Sequence, residues 1–223
     1  GMIPEYHFDR IALGPIHLQV FGLLLVLGII VGHSRLVAEA RAAQLGSARV
    51  IEGFAVALGA GALLVGFAGE RLFGLGLSSV AGAVGALAAG LVYALAFHLD
   101  LLRLADCLAT AFPAGWLVAR LGCAAVHDHL SGPSSSLLAI RFASGPCLDL
   151  GLIEAALLPL LLLAALLARR ARRPGAVAAA VALGYALIRF PLDFLRESDP
   201  RPAGLTLAQW GCLLLAALGL ALG

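Results

Sequence analysis

The stretch LGLIEAALLPLLLLAALLARRARRP, residues 150–174, decides the fold class of this chain. Residues 150–168 contain one charged side chain, Glu154. A helix of that length reaches about 28 Å, close to the ~30 Å of hydrocarbon in a bilayer. Four arginines follow at once, within residues 169–173. The stretch therefore predicts a membrane-spanning helix with a basic end.

The composition of the whole chain agrees with this prediction. Of its 223 residues, 61% are hydrophobic and 13% are charged, whereas a soluble domain carries roughly 25% charged residues. We therefore predict an all-α polytopic membrane protein, a single membrane domain over residues 1–223 with seven spans. The predicted spans are 15–37, 52–70, 75–98, 105–125, 150–168, 175–194 and 204–222.

The distribution of arginine predicts the orientation of these spans. With the N-terminus outside, the inner loops hold eight arginines and the outer segments hold five. Cytoplasmic loops of membrane proteins are enriched in basic residues. We therefore predict an outer N-terminus, an inner C-terminus and an outer loop over residues 126–149.

Two arginines, Arg120 and Arg189, fall inside predicted spans, each in the outer half. An arginine in hydrocarbon costs at least about 2.5–3.5 kcal/mol, so it normally faces a cavity or a partner. Tyr185, Asp193 and Arg196 share one helix face with Arg189. Counted along each helix, buried positive charge exceeds carboxylate, which favours a bound anion such as a phospholipid phosphate. Snorkelling to the surface or a structural network are alternative interpretations.

The segment His127-Asp128-His129 follows the fourth span and has three interpretations. It is an idle loop, a metal site, or a general base oriented by the neighbouring aspartate. No third histidine or cysteine stands at a typical ligand spacing, so we predict no metal and no cofactor. The four cysteines also lack a metal-like spacing, and we interpret Cys107, Cys123, Cys147 and Cys212 as small buried hydrophobic residues. We expect no nucleic-acid partner.

Four segments, taken together, resemble the prolipoprotein diacylglyceryl transferase family over most of the chain. The second of them resembles the family pattern Gly-Arg-x-Gly-Asn-Phe-x-Asn-Gly-Glu, and the third resembles Gly-Tyr-x-x-x-Arg-x-x-x-Glu-x-x-Arg-x-x-Asp. The segments are LGPIHLQVFGLLLVLGIIVG (13–32), RLGCAAVHDHLSG (120–132), GYALIRFPLDFLRESD (184–199) and GLTLAQW (204–210).

The resemblance implies an enzyme of the bacterial inner membrane with its site facing the outer leaflet. Such enzymes move the diacylglyceryl group of phosphatidylglycerol to a lipobox cysteine of a prolipoprotein and release glycerol phosphate. By position, Arg120 and Arg189 would hold the phosphate, with Tyr185 and Asp193 supporting Arg189. The predicted substrate-binding residues are Arg120, Glu154, Tyr185, Arg189, Asp193 and Arg196. The predicted catalytic residues are Arg120, His127, Asp128, His129 and Arg189.

Several positions depart from the family pattern. The segment SSVAGAVG (78–85) lacks the histidine proposed as the family's base, and Phe21, Leu63 and Cys123 stand where the family has tyrosine, arginine and asparagine. These changes indicate a divergent member or a paralogue, in which His127 or His129 takes over the role of base. The alternative functions are a non-catalytic lipid-binding paralogue and a lipid-headgroup transferase or hydrolase with a different acceptor.

Overall fold

A computed structural model of the chain describes residues 3–6, 8–13, 16–73, 79–196 and 200–223. Seven α-helices lie within these ranges, which confirms the prediction of an all-α membrane protein with seven helices. Their bounds are α1 Val20–Ala42, α2 Ala48–Phe73, α3 Ser79–Ala96, α4 Leu101–Val126, α5 Leu150–Ala168, α6 Ala176–Phe194 and α7 Leu207–Leu222.

Five of these helices are long and apolar enough to cross a membrane: α1, α2, α4, α5 and α6. The apolar part of α3, Ala81–Ala96, and α7 are shorter. A helix of sixteen residues reaches about 24 Å, less than the ~30 Å of hydrocarbon.

The first span begins later than predicted. Residues 16–19 form strand β3 (Ile16–Gln19), which pairs antiparallel with β2 (Arg10–Leu13), and α1 starts only at Val20. The hairpin uses apolar residues that the hydropathy pattern alone assigns to the span. The predicted start of the third span, 75–78, lies outside the described residues, as do residues 197–199 of the arginine motif on α6.

The predicted outer loop 126–149 carries a small sheet. Its strands β4 (Leu130–Pro133), β5 (Ile140–Phe142) and β6 (Gly145–Asp149) pair antiparallel, with β6 in the middle. Strand β1 (Ile3–Pro4) joins β5 in parallel. The N-terminal segment and the loop therefore lie at the same end of the helix bundle. That this end faces outward stays a prediction.

Close packing of α1 against α4 fixes the helix that carries Arg120. A Cβ atom at Gly28 would lie 2.7 Å from the carbonyl oxygen of Gly115, and one at Gly115 would lie 2.7 Å from the carbonyl oxygen of Gly28. Only glycine at both positions allows this approach. Small residues at the interface are a common way for membrane helices to pack, because lipid offers no hydrophobic driving force between them.

Candidate active site

Arg120, Glu154 and Arg189 meet in the interior of the bundle, at the end that carries the sheet. Arg120 lies near the C-terminus of α4, Glu154 near the N-terminus of α5, and Arg189 near the C-terminus of α6. The three helices pack against one another. Their side chains are 4%, 0% and 7% exposed. The two intramembrane arginines that the sequence singles out therefore converge on one carboxylate.

Glu154 is surrounded by donors on both carboxylate oxygens. Its Oε2 lies 2.7 Å from Nη1 of Arg189 and 3.1 Å from Nε of Arg120. Its Oε1 accepts hydrogen bonds from the indole N–H of Trp116 and from the hydroxyl of Tyr185, both at 2.9 Å. The carboxylate is thus fully engaged inside the protein. These contacts fit a role in positioning the guanidinium groups, and the role of Glu154 in substrate binding stays a prediction.

A second carboxylate, Asp193, completes the arrangement one helical turn beyond Arg189. Nη2 of Arg189 donates to Oδ1 of Asp193 at 2.7 Å. The hydroxyl of Thr206 donates to the other oxygen, Oδ2. Thr206 also begins α7 in a capping box with Gln209, whose side-chain amide donates to the carbonyl of Phe190 at 3.2 Å. Helix α7 is thereby fastened to α6 at the site.

We name the four ionised groups Arg120, Glu154, Arg189 and Asp193 the Glu154 network. Two guanidinium groups face two carboxylates, so the predicted excess of buried positive charge is wrong for these residues. The prediction counted carboxylates along each helix separately, whereas Glu154 arrives from a third helix. A buried cation keeps its charge at a tolerable cost when it is paired and hydrogen-bonded, so both arginines can stay charged inside the protein.

Three further predicted or neighbouring side chains border the Glu154 network. The guanidinium of Arg120 lies 4.7 Å above the centre of the Trp116 ring, a cation–π contact. The resemblance implied that Tyr185 supports Arg189, but its hydroxyl donates to Glu154 and so contacts Arg189 only through that carboxylate. Arg196 lies at the rim, with its Nη1 3.9 Å from Oδ1 of Asp193 and its side chain 16% exposed.

His127 is buried and its two ring nitrogens both face acceptors. Nδ1 lies 2.7 Å from Oδ2 of Asp149, and Nε2 lies 2.6 Å from the carbonyl oxygen of Tyr6. Both ring nitrogens are therefore engaged inside the protein. These contacts connect the end of α4 to the N-terminal segment and to the start of α5, and the role of His127 as a base stays a prediction.

His129 lies next to the Glu154 network in a different environment. Burial, together with the charges of Arg120, Arg196 and Arg189, lowers the pKa of His129 to about 3. Its imidazole is therefore neutral at pH 7. A pKa this far below neutrality makes His129 a weak general base, because effective bases titrate near the working pH. Its Nε2 lies 3.7 Å from Oδ1 of Asp128, the aspartate predicted to orient a histidine.

Sequence reasoning missed Trp116 and Thr206 as parts of the site. Trp116 lies one helical turn before Arg120, a spacing that places both on one face of α4 and could have indicated the contact. Thr206 precedes Gln209 by three residues, which is the signature of a capping box. That signature predicts a helix start, but it does not predict the hydrogen bond to Asp193, which depends on how α6 and α7 pack.

Comparison with known proteins gives a consistent family match. Residues 10–223 match the family described as prolipoprotein diacylglyceryl transferase. The chain is 33% identical over 157 residues to the phosphatidylglycerol–prolipoprotein diacylglyceryl transferase of Idiomarina loihiensis, covering 66% of this chain and 59% of that protein. The protein of the same name from Verminephrobacter eiseniae is 34% identical over 169 residues, covering 66% and 57%. The match spans less than two thirds of the length of these relatives.

Proposed function

Because the chain belongs to the prolipoprotein diacylglyceryl transferase family, we propose that it transfers the diacylglyceryl group of phosphatidylglycerol to a cysteine thiol of a prolipoprotein. The transfer releases glycerol phosphate. The observation that carries the proposal is the convergence of Arg120 and Arg189 on Oε2 of Glu154, at 3.1 and 2.7 Å. Two guanidinium groups held this close together form a binding site for one phosphate.

Arg120 and Arg189 bind the phosphate that becomes the leaving group. Each guanidinium has five N–H donors, and the carboxylates of the Glu154 network use only some of them. Guanidinium groups bind phosphate oxygens in pairs, with charge-assisted bonds of about 2.7–2.9 Å. Charge develops on the phosphate oxygen as its bond to carbon breaks, so fixed donors there lower the barrier. Both arginine side chains are almost completely buried, so the phosphate can reach them only when neighbouring side chains move.

The carboxylates and Tyr185 position the two arginines. Without Glu154, two like charges would face each other in a medium of low polarity, where their repulsion is strong. Asp193 fixes the second end of the Arg189 guanidinium, and Tyr185 fixes Glu154. Arg196, at the rim and partly exposed, is placed to contact the glycerol phosphate headgroup.

We place the acceptor thiol on the side of Asp128 and His129. His127 contacts Asp149 and the Tyr6 carbonyl, so we assign it a structural role. The arginine distribution favours a site that faces the outer leaflet of a bacterial inner membrane. Phosphatidylglycerol and the acceptor would then meet at the end of the bundle that carries the sheet.

The proposal is tested with the full chain in detergent micelles containing phosphatidylglycerol and a synthetic lipobox peptide. Mass measurement of the peptide detects an added diacylglyceryl group, and free glycerol phosphate is measured in parallel. We expect Arg120→Ala and Arg189→Ala each to lower the rate at least about 100-fold, as loss of a transition-state donor does. The matched control is Arg170→Ala, an exposed arginine at the opposite end of α5.

Full activity in Arg120→Ala or Arg189→Ala would overturn the phosphate role of that residue. If the wild-type chain bound phosphatidylglycerol but formed no product with the peptide, the result would instead favour the alternative of a lipid-binding paralogue. Both outcomes are distinguishable, because lipid binding is measured separately from product formation by retention of the lipid through gel filtration.

A further inference from the structure

Three metal-ligating side chains meet at the C-terminal end of α4. One ligand atom each of Cys123, Asp128 and His129 lies within 4.8 Å of the other two. We name these residues the α4-end cluster. The cluster adjoins the Glu154 network, because Nη1 of Arg120 lies 3.6 Å from Sγ of Cys123. Its donors are one thiol, one carboxylate and one imidazole.

The backbone turn after α4 brings these three side chains together. His127 ends the helix in the left-handed conformation, with φ 52° and ψ 42°. The chain therefore folds back, and the N–H of Asp128 reaches the carbonyl oxygen of Cys123 at 3.4 Å. The carbonyl oxygen of His129 accepts from the N–H of Leu150 at 2.8 Å, which fixes the turn to the start of α5. The arrangement is thus held by backbone contacts.

One nitrogen of His129 has no hydrogen-bond partner within the part of the chain that the structure describes. Nδ1 is buried and makes no hydrogen bond with any described residue. An unsatisfied buried polar atom costs about 1–3 kcal/mol, and native proteins leave few of them. His129 itself is only partly covered, so a ligand can reach its ring. The imidazole of His129 therefore has one nitrogen that is available to a ligand.

The donor set fits a zinc ion with one open coordination position. Zn²⁺ binds thiolate sulfur at about 2.3 Å and imidazole nitrogen or carboxylate oxygen at about 2.0–2.2 Å. In a tetrahedron these bonds place ligand atoms roughly 3.3–3.8 Å apart, so the distances between ligand atoms need to shorten by at most about 1.5 Å. Three protein ligands with a free fourth position are typical of a catalytic zinc site, whereas structural sites have four.

We propose that Cys123, Asp128 and His129 bind one Zn²⁺ and that the open position takes the thiol of the acceptor cysteine. The inference rests on the proposed function for the identity of the acceptor. Cys123 gives up its thiol proton to water when it binds the ion, and its thiolate together with the Asp128 carboxylate neutralises the two charges of the metal. The loaded site is therefore neutral beside Arg120. Zinc deprotonates a coordinating thiol, which supplies the nucleophile that the transfer requires.

A cavity beside the cluster gives the acceptor access to Asp128. A cavity of about 350 Å³ reaches Asp128 from the N-terminal hairpin. Its other lining residues are Asp9, Arg10, Gln19, Phe21 and Val126. The acceptor enters from this side, and the lipid phosphate lies on the side of Arg120. The two reactants therefore meet across the contact between Arg120 and Cys123.

The transfer step is balanced in atoms and electrons. The acceptor thiol loses its proton to water when it coordinates the metal. Its sulfur then attacks the glyceryl carbon that carries the phosphate ester, and a carbon–sulfur bond forms. The bond from that carbon to the phosphate oxygen breaks, and its electron pair leaves on glycerol phosphate, held by Arg120 and Arg189. No oxidant or reductant takes part.

Metal binding is tested on the purified full chain in detergent, without lipid or peptide. The chain is stripped with a chelator, dialysed against Zn²⁺ or Co²⁺ alone, and analysed for bound metal. We expect one equivalent and, with Co²⁺, an absorption band from sulfur-to-metal charge transfer. Cys123→Ser abolishes that band, and Asp128→Asn or His129→Ala lowers affinity at least about tenfold. The matched control, Cys107→Ser, on the opposite half of α4, binds like the wild type.

Acceptor binding is tested by adding the lipobox peptide to the Co²⁺ form. A second thiolate ligand strengthens the charge-transfer band, and a peptide with serine in place of cysteine leaves it unchanged. The inference would be overturned if the wild type and Cys123→Ser bound equal amounts of metal. It would also be overturned if the peptide thiol left the intensity of the charge-transfer band unchanged. If metal and peptide bind as expected but no lipid product forms, the proposed function fails and the metal site stands.

Discussion

The Glu154 network and the α4-end cluster lie side by side and differ in how completely their polar atoms are used. In the network, both oxygens of Glu154 and both oxygens of Asp193 accept from neighbouring groups. Among the described residues, two buried side-chain atoms lack a hydrogen bond, Nε of Arg120 in the network and Nδ1 of His129 in the cluster. The Arg120 atom still forms an ion pair with Glu154 at 3.1 Å. We therefore expect the network to be stabilised by its own contacts, and the cluster to gain stability when a ligand binds the free nitrogen of His129.

The largest effect is expected for Glu154→Gln, which removes the charge that holds Arg120 and Arg189 together. Breaking a buried ion pair from one side costs about 3–5 kcal/mol of unfolding free energy. The matched control is Glu52→Gln, whose exposed pair with Arg41 at 3.3 Å is worth at most about 1 kcal/mol. Both are measured by chemical unfolding in detergent. Equal losses in the two variants would mean that the network is not a stabilising unit.

Thr206→Val tests the second carboxylate of the network. The variant loses the hydrogen bond to Asp193 and the cap that the hydroxyl gives to the N–H of Gln209 at 3.1 Å. We expect a loss of about 2 kcal/mol or more in unfolding free energy. Thr110→Val is the control, because its hydroxyl donates only to a neutral backbone carbonyl at 2.8 Å. A smaller loss for Thr206→Val than for the control would contradict this assignment.

Tyr185→Phe removes one of the two donors to Oε1 of Glu154 and leaves the other, Trp116, in place. The loss should therefore be near the lower end for a hydrogen bond to a charged group, about 1.5 kcal/mol. Tyr93→Phe is a suitable control, since the Tyr93 hydroxyl makes no hydrogen bond with the described residues. Thermal unfolding of the two variants side by side gives the comparison. An unchanged melting temperature in Tyr185→Phe would remove Tyr185 from the network.

The smallest effect is expected for Cys123→Ser without metal, a change below about 1 kcal/mol, because serine keeps a polar atom near Arg120. Adding zinc should then produce different gains in unfolding free energy in the wild type and the variants. At a concentration 100 times the dissociation constant, bound metal stabilises the wild type by about 2.7 kcal/mol. Cys107→Ser should gain the same amount, and Cys123→Ser should gain almost none. An equal gain in both serine variants would show that the metal binds elsewhere.

The hydropathy pattern predicts the helices well because apolar length is a property of each segment alone. The importance of Arg120 and Arg189 was also predictable from each segment alone, because a guanidinium group in hydrocarbon needs a polar or charged partner. The partner itself was not predictable in this way. Glu154 stands on α5, and only the packing of α4, α5 and α6 shows that it faces both arginines.

The roles at the end of α4 were less predictable for a similar reason. The sequence suggests that His127, Asp128 and His129 act as one motif, but the left-handed turn at His127 separates them. His127 points to Asp149, 22 residues further along the chain, whereas Asp128 and His129 fold back towards Cys123. A cysteine on a helix and a histidine six residues later match no common ligand spacing, so the pattern alone gave no signal.

The most direct test of the central claim is an experimental structure of the full chain with phosphatidylglycerol bound. The account predicts one lipid phosphate between α4 and α6, with its oxygens about 2.7–2.9 Å from both the Arg120 and the Arg189 guanidinium groups, and with Glu154 still between them. A headgroup that contacts neither arginine, or a lipid bound at the arginine-rich end of α5 instead, would contradict it.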